Sequence, residues 1–398
     1  MNILILTKNS SYSKNSQIGG AEISLQLIAE KFASIGENVC YFTQSYGIIP
    51  GLSRKAINGV KVYIFIPLRW PLFKKRMFYK LREKFIRWQR RLLLLFVIKR
   101  ERINIIHTYN EYPTTYDILK LKERYNLNFK LILRSAGIFW TVQIKEHQIN
   151  KNKIEYVFNN IDAINFISQG QKDLFYQNLK KYHINFPCNH YFINDIGINT
   201  LVFSEKWKYK RTPPFKITMV ARISYPKRHD IIIKALRLVN NKSIQFHIVG
   251  SGETEQIIHL FKKLNLSNQI ILHGHLSPLK VKEVLLKSHL FCLATEYEGV
   301  PKSMLEAMAL GVPVLVSDVL PINTYIVDQN NGFLCTNDPI NWADYISKIY
   351  EGNYNLEKIS ENEIHFVKNE FNPDIKIMEY KAEFLKILQT KREQFKRE

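Results

Sequence analysis

Short runs rich in Val, Ile and Phe alternate along this chain with longer stretches of helical period, and the series runs twice. A strand followed by a helix and then by another strand predicts parallel pairing, with the helices packed on the faces of the sheet. In the first series the predicted strands are residues 2–7, 38–43, 60–66, 103–108, 130–134, 163–168 and 191–194. The polar, proline-containing stretch 204–214 breaks the rhythm and reads as a linker. A second series follows at 215–220, 244–249, 269–273, 290–294, 312–317 and 332–335. Beyond residue 341 the pattern is helical, with Pro373 placed to open a last helix. The chain therefore reads as two α/β domains, 1–205 and 206–370, and a helix at 371–398 that can pack back on the first domain.

Charge narrows the partners. The 398 residues carry 57 Lys or Arg against 35 Asp or Glu, a formal net charge of +22. A surplus of that size implies an anionic partner, with nucleic acid, acidic lipid and phosphorylated metabolites as the choices. The sequence has no helix-turn-helix pattern, aromatic RNA platform or finger spacing, so nucleic acid is not expected. Apolar residues at 46% exclude wholesale disorder. Cys40, Cys188, Cys292 and Cys335 stand far apart without a Cys-x-x-Cys pair, which argues against a disulfide framework or structural zinc and for a cytoplasmic setting. The first apolar run is too short for a signal-peptide core and reads as a strand. The longest unbroken apolar stretch, residues 92–98, is seven long, where a membrane span needs about 20.

The stretch 295–316 carries the most chemistry. A strand ends at Ala294, a helix starts near Pro301, and seven residues separate Glu298 from Glu306. Proline suits a first helical turn, and the amides of Lys302 and Ser303 behind it are placed to bind phosphate. Glu298 falls in the loop at the carboxyl edge of the sheet. Glu306 is expected about two turns into the helix, where a carboxylate can accept both hydroxyls of a ribose. The string Glu298, Glu306, Ala307, Met308 and Gly311-Val312-Pro313-Val314 resembles the signature of the retaining GT-B glycosyltransferases, the family 4 group. That resemblance implies two Rossmann-like domains in tandem, with the active site in the cleft between them. It also implies a nucleotide-diphosphate sugar donor, Glu298 acting on the donor sugar, and Gly299, Val300, Lys302, Ser303 and Glu306 binding the nucleotide.

Other segments fall into register with it. Arg222 and Lys227, five apart after the first strand of the second series, resemble the family's pair on the donor diphosphate; a guanidinium fork grips two oxygens and an ammonium adds a mobile charge. Gly250, Gly252 and Glu253 follow the next strand as the family's Val-Gly-x-Gly turn does, and His273-Gly274-His275 stands where a base pocket would lie. No carboxylate or cysteine accompanies those two histidines, so they do not read as metal ligands. Gly19 and Gly20, within Gly-Gly-Ala-Glu, open the first helix and let backbone approach the donor. Their spacing lacks Gly-x-Gly-x-x-Gly, and no dinucleotide cofactor is expected.

Departures from the family pattern are informative too. Many relatives carry a His after the strand at 130–134, whereas this chain reads Arg134-Ser135-Ala136-Gly137. Arg134, Ser135 and His107 are acceptor-side candidates by position alone. The chain contains no Asp-x-Asp, so no metal is expected and leaving-group charge falls to Arg222, Lys227 and helix amides. Residues 69–102 hold 13 Lys or Arg against Glu83 and Glu101. Phe73, Met77, Leu81, Phe85, Trp88, Leu92 and Leu95 fall at spacings of three and four, predicting one long helix with an apolar stripe between cations. Such a stripe either packs on the sheet or lies on an anionic membrane, and the two are compatible. The sequence reading is thus a metal-independent transferase acting on a saccharide or lipid-linked acceptor in bacterial surface polysaccharide assembly, cytoplasmic and peripheral on the inner membrane face. Its rivals are an epimerase or phosphorylase of the same architecture, and a basic lipid- or nucleic-acid-binding protein.

Overall fold

The computed structural model describes residues 1–7, 10, 12, 20–45, 47, 49–68, 79–109, 112–135, 151–188, 190–200, 202–208 and 212–390. The chain forms two compact units. The first comprises Met1–Ile196 together with the stretch from Pro373 onward, and the second comprises Gly197–Asn372.

In the first unit, strands β1 (Asn2–Leu6), β2 (Asn38–Gln44), β3 (Gly51–Ile57), β4 (Val60–Ile66), β5 (Ile105–Tyr109), β6 (Lys130–Ser135), β7 (Ala163–Phe166) and β8 (Tyr191–Ile193) make one sheet in the order β3-β4-β2-β1-β5-β6-β7-β8. Helices α1 (Gly20–Ser34), α2 (Tyr79–Arg100), α3 (Tyr112–Arg124), α4 (Lys151–Asn160) and α5 (Gln169–Lys181) connect them. The central strands are mostly apolar and buried because both faces are covered. Among the described strands only β3 runs antiparallel to its neighbour, and it was not predicted. Most of its side chains are exposed, so it lacks the apolar signature of the others. The sequence does mark it by Asn58-Gly59, both in left-handed backbone (φ 49° and 78°), the pair that closes a tight hairpin onto β4.

The last helix, α13 (Pro373–Gln389), lies on the same sheet face as α1: the rings of Phe32 and Phe384 stack at 5.2 Å. It covers a buried polar network. The Arg134 guanidinium donates to Tyr380 Oη (2.6 Å), to Asn165 Oδ1 (3.3 Å) and to Asp195 Oδ2 (3.1 Å), while Tyr380 donates to the Asn194 carbonyl at 2.7 Å. His107, in mid-strand on β5, is wholly enclosed with its ring against Tyr380 and Phe384, and burial beside Arg134 pushes it down to about 3. His107 and Arg134 are core groups enclosed by protein, and Ser135 is buried at the end of β6.

Helix α2 shows which side of the stripe turns inward. Phe73 and Met77 lie outside the described residues. Within the helix, Leu94, Val97 and Ile98 are the buried side chains, with Ile86 and Leu93 partly buried beside them, whereas Leu81, Trp88 and Leu92 are exposed. The run 92–98 is apolar all round, so it carries no phase to say which face turns inward.

The second unit is a six-stranded, wholly parallel sheet of β9 (Phe215–Val220), β10 (Ile244–Val249), β11 (Ile270–Gly274), β12 (Leu290–Leu293), β13 (Val314–Ser317) and β14 (Phe333–Cys335). Helices α6 (His229–Val239), α7 (Thr254–Lys263), α8 (Pro278–Leu286), α9 (Lys302–Leu310), α10 (Ile322–Tyr325), α11 (Pro339–Glu351) and α12 (Leu356–Glu370) complete it. The order β11-β10-β9-β12-β13-β14 reverses direction between β9 and β12, which makes their carboxyl ends the switch point where open α/β sheets bind ligands. The stretch read as a linker is held down at Trp207, whose backbone N–H donates to Leu310 O and whose indole N–H donates to Ser288 O, both at 2.7 Å. Gly197 has φ +78°, and a Cβ there would stand 1.9 Å from the carbonyl oxygen of Phe371, so the chain enters and leaves this unit at one place.

Candidate functional site

Three loops at the switch point are tied into one surface. Ala221 N–H donates to Val249 O, Ile223 N–H to Ser251 O and Glu253 N–H to Ile223 O, joining the loops after β9 and β10. Arg228 N–H donates to Ala294 O and Glu296 N–H to Pro226 O, joining the loops after β9 and β12. The glycines follow from this closeness: at φ +146° a Cβ on Gly250 would stand 1.9 Å from Ala221 O, and one on Gly252 would stand 2.2 Å from Ile223 O. Gly250→Ala is expected to lower stability by about 1–3 kcal/mol and to weaken nucleotide binding, measurable as a lower Tm and a smaller ligand-induced shift; an unchanged Tm would refute the close approach. Glu253, exposed at the N-terminus of α7, makes no side-chain cap.

On this surface Lys227 Nζ contacts Glu298 Oε1 in a largely buried ion pair. Burial and the Arg222 guanidinium push the Lys227 ammonium down to about 7. Arg222 itself is exposed beside them. Tyr225 and Tyr297 meet edge to face at 5.9 Å across the same two loops. Arg222, Lys227 and Glu298 therefore converge although 76 positions separate the outer two.

Helix α9 begins behind them. Pro301 caps it, Met304 is the first residue to donate back into the helix, and Lys302 and Ser303 supply the amides of the open end. The Lys302 side chain is engaged elsewhere: its Nζ donates to Gly197 O at 2.7 Å. Val300 is buried and Gly299 half-buried, so Val300 can offer a ligand only its backbone. Glu306 lies one turn into the helix, not two, because the helix starts at Lys302. Burial raises its carboxyl to about 7, with Lys302 one turn earlier opposing. Glu363, fully buried on α12 and pushed well above the usual carboxylate range by burial, accepts Val314 N–H at 2.9 Å and anchors the strand after α9.

Sequence reading missed the groups that set the loops. Arg228 binds Asp230 through two parallel bonds (2.8 and 3.0 Å) and also pairs with Glu296, which fixes the loop holding Glu298. Thr295 N–H donates to Ser317 Oγ (2.9 Å), and Asn337 Nδ2 to Thr295 O (2.8 Å). The local signal was Arg-x-Asp at 228–230 before a helix; nothing local marks Asn337. His247 and His273 stack at 5.1 Å with Nδ1 and Nε2 2.9 Å apart, and burial pushes His247 down to about 4, so both rings stay neutral near pH 7. Gly20 opens α1 in the first unit, and Gly19 lies outside the described residues.

Comparison with known proteins agrees with this geometry. Two Rossmann-like units in tandem define the GT-B fold, and solved structures align over nearly the whole chain. Sucrose-phosphate synthase from Thermosynechococcus elongatus is 15% identical with a TM-score of 0.76, covering 97% of this chain and 98% of that one. Anabaena HepE in complex with UDP and glucose is 15% identical with a TM-score of 0.72, covering 97% and 99%. Residues 203–366 match the family Glycosyl transferases group 1, a segment that includes Arg222, Lys227, Glu298 and Glu306. A curated relative, the poly(ribitol-phosphate) alpha-N-acetylglucosaminyltransferase of Staphylococcus aureus, is 32% identical over 136 residues, 33% of this chain and 27% of its own length. The N-acetyl-alpha-D-glucosaminyl L-malate synthase of Bacillus anthracis is 23% identical over 297 residues, 73% of this chain and 77% of its own length. The chain thus spans about a quarter of the first relative and three quarters of the second. The matched family segment lies wholly within the second unit.

Proposed function

We propose that this chain is a retaining glycosyltransferase that moves a sugar from a nucleotide-diphosphate donor to a lipid-linked saccharide in the assembly of a bacterial surface polysaccharide. The observation that carries it is the Lys227–Glu298 pair beside Arg222 at the open end of α9. Arg222, Lys227 and the amides of Lys302 and Ser303 bind the diphosphate and stabilise the charge that develops as it departs. Glu306 accepts the ribose hydroxyls, and Glu298 holds the donor sugar and steadies positive charge at its ring. With retention, the acceptor hydroxyl attacks on the face the nucleotide leaves, and a phosphate oxygen of the departing nucleotide takes its proton. His107 and Arg134 have no part in it. Relatives named for amylovoran and colanic acid biosynthesis support the polysaccharide reading, and the UDP complexes of structural neighbours support the donor class. The cations already present make the reaction metal-independent, and the acceptor places the enzyme on the cytoplasmic face of a membrane.

A thermal-shift screen against UDP, GDP, ADP and CMP, with and without chelator, tests the site. One nucleoside diphosphate should raise Tm, chelator should leave the rise unchanged, and Glu306→Ala should abolish it; no rise with any nucleotide would sink the proposal. The pH dependence has a definite sign. Glu306 holds its proton up to about 7 in the free protein, so its contribution to stability is fullest below the ordinary carboxylate range and is lost as pH rises to about 7. A ribose needs the ionised form, so nucleotide affinity should strengthen from about pH 6 to 8, and Glu306→Gln should flatten that slope. A titration by calorimetry at several pH values decides it.

A further inference from the structure

The outward face of α2 is apolar where a surface helix would ordinarily be polar. Leu81 (49% exposed), Trp88 (55%), Leu92 (45%) and Phe96 (47%) stand in line at helical spacing, opposite the buried Leu94, Val97 and Ile98. Phe85 stacks on Trp88 at 5.9 Å, and Leu92, Leu95, Phe96, Lys99 and Arg100 line a shallow groove at the C-terminal end. Cations flank the stripe. The helix carries eight Lys or Arg against one acid, Glu83. Three of them, Arg87, Arg90 and Arg91, share the single buried carboxylate of Asp117, so the positive charge stays in excess even after that pairing.

We infer that this face docks on an anionic lipid bilayer, with Trp88, Leu92 and Phe96 entering the headgroup boundary and Lys84, Lys99 and the arginines meeting lipid phosphates. Charge complementarity selects this occupant: a second copy of the chain would bring the same cations against themselves, whereas an acidic bilayer offers apolar depth and negative charge together. The inference bears on the lipid-linked acceptor of the proposed function, but its geometry belongs to the first unit and is tested without the donor site.

The full chain is floated with vesicles of phosphatidylcholine alone and of phosphatidylcholine mixed with phosphatidylglycerol. Anionic vesicles should capture it far better than neutral ones, and Trp88→Glu with Leu92→Glu should weaken capture at least about tenfold at unchanged Tm and unchanged nucleotide-induced shift. Bromine-labelled acyl chains should quench the native protein's fluorescence more than that of Trp88→Phe, a reading that needs no disruptive variant. Equal capture by neutral vesicles, full capture of the double variant, or quenching identical in Trp88→Phe would each overturn the inference. So would a lipid-free dimer that the glutamates dissolve.

Discussion

Glu298→Gln is expected to reduce kcat/KM for sugar transfer by about 10² to 10³, with nucleotide affinity changed little. The substitution keeps shape and removes charge at the carboxylate in contact with Lys227. Its effect falls on the donor ring, which loses its electrostatic support. Initial rates of nucleotide release, with Tm as the fold control, provide the check. Activity within a few fold of the native enzyme would remove Glu298 from the mechanism.

Asp195→Ala should be the most destabilising change in the first unit. Among the described residues it removes the only carboxylate bonded to Arg134, a guanidinium enclosed in the core with 1% exposure, and leaves it with the neutral partners Asn165 and Tyr380. Breaking a buried pair from one side costs about 3–5 kcal/mol, which lowers Tm by roughly 6–20 °C in a unit of this size. Thermal and urea unfolding followed by circular dichroism measure it. A loss under about 1 kcal/mol would mean that the pair behaves as an exposed one. Nucleotide binding by molecules that remain folded should persist, because the groups assigned to the nucleotide, Gly19 and Gly20 apart, belong to the second unit.

The two predictions draw on parts of the sequence that differ in legibility. Parallel strands were readable because β1, β9 and β12 are largely buried and mostly apolar, while the polar edge strand β3 was betrayed only by Asn58-Gly59. The convergence of Arg222, Lys227 and Glu298 was readable because each follows a strand end by a short spacing. The enclosure of His107 and Arg134 was not readable for a corresponding reason: the Tyr380 and Phe384 that enclose them arrive from a helix more than 240 residues later, and no local pattern announces it. The outward stripe on α2 was found as a stripe but not oriented, since an apolar run on every side of a helix leaves its rotation to tertiary packing.

The return of α13 to the first sheet also sets an order of events on the ribosome. Strands β1 to β8 emerge early, yet the groove over β5 and β6 that holds His107 and Arg134 stays open until Tyr380 and Phe384 are synthesised. The entire second unit, a continuous insert whose two ends touch at Gly197 and Phe371, is made in the interval. The half of the protein that begins first is therefore finished last, and a stalled or truncated nascent chain would display a complete second unit beside a first one with an uncovered core.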